Sequence, residues 1–86
     1  MAGTVIALEP GTALSIGRDQ NSGIPLAGDT TVSRKHARVE TRDGGFAVVD
    51  EGSSNGTFVN GARTPERVLQ PGDEIQIGAA RFRFER

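Results

Sequence analysis

The chain has 86 residues, ten basic and eleven acidic side chains, one histidine and no cysteine. That length supports a single domain over residues 1–86 with one core, burying ~60–65% of its unfolded surface and leaving little room for a deep enzymatic cleft. The near-neutral charge excludes a nucleic-acid-wrapping field, the missing cysteines exclude a disulfide framework, and no apolar run is long enough for a membrane-spanning helix.

In chain order the sequence alternates short apolar stretches with turn chemistry, and no helical window survives its glycines and prolines. The opening "MAGTVIAL" lacks the basic start and long apolar centre of a signal peptide, so the cytoplasm is the expected location. A strand is expected over Thr4 to Leu8, a turn over Glu9 to Thr12, and a second strand over Ala13 to Ile16 with Leu14 and Ile16 inward. Ile24 to Leu26 makes a short third strand. Ala37 to Thr41 pairs with Phe46 to Asp50 through Asp43-Gly44, with Ala37 and Val39 inward and Arg38 and Glu40 toward water. Asn60-Gly61 closes another hairpin, between "TFV" and "AR". Pro71 to Asp73 leads into "EIQI", and Gly78-Ala79-Ala80 turns the chain into "RFRFE" with Phe82 and Phe84 inward. The pattern is all-β: a small sandwich of nine to eleven short, mostly antiparallel strands.

Three loops hold what the strands leave unexplained. Gly17-Arg18 ends one strand, Ser33, Arg34 and His36 precede another, and Ser53, Ser54, Asn55 and Gly56 join two more. Gathered at one end of a sandwich, they would present guanidinium groups, hydroxyls, an amide and exposed backbone N–H groups. Those are the donors that suit a phosphomonoester, with its three strong acceptor oxygens and charge of about −1.5 to −2.

The order Gly17-Arg18, Ser33-x-x-His36, Ser53-x-Asn55-Gly56-Thr57, followed by "FVNG" and "PGDEIQIG", resembles the forkhead-associated (FHA) domain, a phosphothreonine-peptide binder. The resemblance runs from Thr4 to Phe84, and the family belongs to the readers that recognise phospho-motifs through arginine. It implies that Arg18, Ser33, Arg34 and Ser54 contact the phosphate and that Asn55 holds the peptide backbone. Gly17, His36 and Gly56 are implied to be scaffold. Ser54 stands where threonine is usual, Glu51 where an apolar residue is common, and the leading segment before Ala13 is short. Thr31 and the Asp19 to Gly23 loop are the expected selectors of residues around the phosphothreonine, and the uncharged Thr31 gives no strong demand for an acidic residue.

The implied partner is a phosphothreonine-containing protein or peptide in Ser/Thr kinase signalling, bound by a monomer, with no nucleic acid and no membrane. A competing expectation is a domain of the same fold that docks on its partner independently of phosphorylation. No serine has a histidine at triad spacing, no His/Asp/Glu cluster suggests a metal site, and no Walker-type loop is present, so catalytic residues, metal and cofactor are all expected to be none.

Overall fold

The computed structural model describes residues 4–5, 11 and 13–85. They form two five-stranded sheets and no helix, so none is long and apolar enough to cross a membrane. The strands are β1 (Thr4–Val5), β2 (Ala13–Gly17), β3 (Ile24–Pro25), β4 (Ala37–Arg42), β5 (Gly45–Asp50), β6 (Phe58–Val59), β7 (Ala62–Arg63), β8 (Glu66–Val68), β9 (Glu74–Ile77) and β10 (Ala80–Arg83). One sheet runs β1-β10-β9-β6-β7 and the other β3-β2-β4-β5-β8. The pairs β1·β10 and β2·β3 are parallel, and the other pairs are antiparallel.

Both two-residue turns form where their sequences place them. Asp43 and Gly44 lie at φ 49° and 79°, Asn60 and Gly61 at 51° and 84°. Two successive residues of positive φ match the right-handed twist of the flanking strands, which is why asparagine, aspartate and glycine occur there. The first strand is observed as Thr4–Val5; residues 6–10 of the expected strand and turn lie outside the described residues. The third strand ends at Pro25, one residue earlier than expected.

The two inner faces enclose Ile16, Val39, Phe46, Val48, Val59, Leu69, Ile75, Ile77, Phe82 and Phe84. Phe46 and Phe84 meet edge to face, centroids 5.8 Å apart, an arrangement that the ring quadrupole favours. Leu14 is only half-buried. Strand β8 is one that alternation does not signal, because all three of its residues are exposed. It exists because β5 would otherwise be an unpaired edge: Glu66 to Val68 pair with Val49 to Ala47, supplying partners for backbone groups of a strand whose Phe46 to Val49 are all buried.

The expected solvent face of β4 carries a ladder of ion pairs. Arg38 reaches Glu40 and Glu51, each at 2.8 Å, and Arg42 reaches Glu40 at 2.6 Å and also Glu66. Hydrogen bonding to Arg38, then to Arg42, holds the Glu40 carboxyl below its usual range. The ladder engages the charge of Arg38, and the Glu51 carboxylate is turned onto that guanidinium.

Candidate functional site

The strand directions bring the chemistry-bearing loops together. Ile16 pairs with Ala37 and Ala37 with Asp50, so the end of β2, the start of β4 and the end of β5 lie at one end of the molecule. Phe58 pairs with Gln76, which brings the start of β6 and the end of β9 to one end of their own sheet. Glu51 donates its amide to His36 O at 2.8 Å, and Asn55 its side-chain amide to Thr31 O at 2.8 Å. These bonds join the loop after β5 to the loop before β4.

His36 is the internal brace. It is fully buried, its Nδ1 accepts the Ser33 amide at 3.1 Å, and its Nε2–H donates to Gly56 O at 2.8 Å. The Ser33 amide can only donate, so these partners select the tautomer with the proton on Nε2. One imidazole therefore joins the two loops at a sequence separation of 20.

Gly17 is required for a different reason. A Cβ there would run into the backbone carbonyl of Arg34, because the residue 33–34 segment lies directly along residues 17–19. Arg18 donates its amide to Ser33 O at 3.0 Å and Asp19 donates to Arg34 O at 3.3 Å. Gly56 is buried at φ 91°, under the side chain of Arg63.

The loop after β5 is built on Asp50. Its carboxylate accepts the Gly52 amide at 2.9 Å, the Ser53 amide at 2.8 Å, the Ser53 hydroxyl at 2.6 Å and the buried Thr57 hydroxyl at 2.8 Å. Partial burial pushes the carboxyl up, but bonds from Ser53, Thr57 and Gly52 outweigh it, leaving it below the ordinary 3.8. Ser53 Oγ in turn accepts the Gly56 amide at 2.9 Å. Ser53 is thus a loop brace, and the next two residues, Ser54 and Asn55, project into the open. Asp50 carries no site role in the motifs, although an aspartate with a glycine two positions on and a serine three on is an Asx-turn pattern.

Arg18, Ser33, Arg34, Ser54 and Asn55 line one open groove, together with Thr30, Thr31 and Val32. Arg18 is half-buried and Arg34 exposed, and among the described residues neither takes part in an ion pair. Ser33 Oγ accepts the Ser54 amide at 3.1 Å, which leaves the Ser33 hydroxyl hydrogen free to turn outward. Lys35 is exposed but lines a different hollow, with Ser15, Asp19 and Glu51. All five residues implied as ligand contacts therefore share one surface, and the three implied as scaffold lie buried beneath it.

The FHA domain family model matches residues 14–78. The chain belongs to the FHA family. Among its relatives are the oxoglutarate dehydrogenase inhibitor of Corynebacterium efficiens, 53% identical over 68 residues, covering 79% of this chain and 47% of the relative. The glycogen accumulation regulator GarA of Mycolicibacterium smegmatis is 47% identical over 83 residues, covering 96% of this chain and 51% of the relative. The chain thus spans about half the length of these curated relatives. Among solved structures, Mycobacterium tuberculosis EmbR in complex with a low-affinity phosphopeptide superposes with a TM-score of 0.80 at 34% identity, covering 85% of this chain and 19% of EmbR. As an FHA member, the chain has its Gly-Arg, Ser-x-x-His and Ser-x-Asn-Gly elements at one end of a two-sheet sandwich.

Proposed function

We propose that this FHA domain binds phosphothreonine-containing segments of partner proteins and acts in Ser/Thr kinase signalling as a non-catalytic module. The observation that carries the reading is the shared groove, in which two guanidinium groups outside any ion pair among the described residues stand beside hydroxyl and amide donors. Arg18 and Arg34 supply charge-assisted bonds to the phosphate, Ser33 and Ser54 add hydroxyl donors, and Asn55 holds the peptide backbone. Gly17, His36 and Gly56 shape the loops from below. The relatives named as an inhibitor and a regulator, and the phosphopeptide bound to EmbR, support an output through protein contact. No step of bond making is assigned to the domain.

Arg18→Ala tests the reading. A charge-assisted hydrogen bond contributes ~1.5–3 kcal/mol, so affinity for a phosphothreonine peptide should fall at least about tenfold with the melting curve preserved. Arg18→Lys should recover only part of it, since an ammonium lacks the planar fork. Equal binding of the phosphorylated and unphosphorylated peptides by the unaltered domain would refute the proposal and leave a phosphate-independent docking domain.

A further inference from the structure

Asp29 is a carboxylate on the loop that carries three groove-lining threonine and valine residues, Thr30, Thr31 and Val32. By charge alone it should weaken binding of a dianionic ligand. Its hydrogen bonds give it another role. Oδ1 accepts the Thr31 amide at 2.9 Å and the Thr31 hydroxyl at 2.5 Å, and Oδ2 accepts the Ala79 amide at 2.8 Å from the turn between β9 and β10. The Asp29 carbonyl accepts the Val32 amide at 3.1 Å. Gly78 packs so closely on this knot that a Cβ would collide with Asp29, Val32 and Thr31. Thr31, pinned in this way, presents its carbonyl to the side-chain amide of Asn55 at 2.8 Å.

We infer that Asp29 is a positioning residue for ligand binding: it clamps Thr31 to the β9–β10 turn, and Thr31 O in turn fixes the side-chain amide of Asn55. The inference rests on the proposed phosphopeptide function and adds to it a residue outside the lining of that groove. The chain of contacts is Ala79, Asp29, Thr31, Asn55, and it ties an element of the β10-β9 sheet to the groove. Asn55 has one carbonyl oxygen and two amide hydrogens. With one hydrogen committed to Thr31 O, the orientation of the whole group is set before a ligand arrives, and the ordering cost at binding is reduced. The carboxylate takes donors from Thr31 and Ala79, which, in that order, hold its pKa below the usual carboxylate value.

Charge and positioning predict opposite signs, and this makes the inference testable. Asp29→Asn removes the negative charge, so a through-space effect would tighten phosphopeptide binding. It also turns an amide N–H2 toward one of the two donor groups, Thr31 or Ala79, so loss of positioning weakens binding by roughly threefold to tenfold, the scale of one neutral hydrogen bond. The titration is run on Asp29→Asn, Asn55→Ala and the double variant with one phosphothreonine peptide. Weaker binding in the single variant, with the loss absent in the Asn55→Ala background, is expected. Tighter or unchanged binding, or an equal loss in both backgrounds, overturns the inference.

A readout on the free protein separates this from failure of the phosphopeptide reading. In the unaltered domain the Asn55 side-chain amide hydrogen bonded to Thr31 O should be shifted and slowed in exchange in NMR spectra, and Asp29→Asn should move the group toward free-amide positions with faster exchange. Thr31→Val, which deletes only the hydroxyl donor to Asp29, should move it the same way and covers the case in which Asp29→Asn does not fold. Asn55 resonances unmoved in a folded variant would overturn the inference whether or not any peptide binds.

Discussion

Replacing His36 with alanine separates the scaffold of the site from its ligand contacts. The imidazole is fully buried and makes two bonds, from the Ser33 amide at 3.1 Å and to Gly56 O at 2.8 Å. Truncation removes both and leaves an amide and a carbonyl to find new partners; an orphaned buried group costs about 1–3 kcal/mol. The vacated ring volume adds a cavity term. A total near 3 kcal/mol or more is expected, against ~4–13 kcal/mol for the whole of a domain this size. At about 4–8 °C per kcal/mol for a small domain, the melting temperature should fall by roughly 12–24 °C. Differential scanning calorimetry of the two proteins measures this, beside a phosphopeptide titration well below both transitions. Affinity should fall only as far as the Ser33 and Asn55 loops lose their register. Ser33→Ala should behave in reverse, losing the half-exposed bond from the Ser54 amide but a direct ligand donor. An unchanged melting temperature for His36→Ala together with abolished binding would refute this division of roles.

Two further outcomes are expected. One peptide carrying phosphothreonine or phosphoserine at the same position should show more than about fourfold preference for phosphothreonine, because one buried methyl contributes ~0.8 kcal/mol and the β-branched side chain has less χ1 freedom to lose; equal affinities in paired titrations would contradict it. Asp50 loses its proton more readily in the folded chain than in the unfolded one, so its stabilising contribution is full above the ordinary 3.8 and drains as pH falls through that value and the lower folded one. Asp50→Asn should therefore be less stable than the unaltered domain at pH 7, with the gap closing as denaturation is repeated from pH 5 down to pH 2; a gap independent of pH would contradict the assignment.

Features that depend only on neighbouring residues were legible in the chain. Asp43-Gly44 and Asn60-Gly61 specify their turns because the required positive φ angles are a local property. Alternation in "ARVET" and "RFRFE" specifies which side chains face inward, since a strand repeats every two residues: Ala37, Val39, Phe82 and Phe84 are all buried. The family's polar constellation was legible for the same reason, as short motifs in a fixed order. Tertiary structure alone decided what had no local signal. Strand β8 shows no alternation, and its backbone is ordered by the needs of buried β5. Adjacent hydroxyls in "SSN" part company, Ser53 turning to Asp50 while Ser54 lines the groove. Glu51 is drawn to Arg38 across the sheet, and Asp29 to an amide 50 residues away at Ala79. A polar side chain has several possible partners of similar strength, and only packing of distant strands decides which of them comes within hydrogen-bond distance.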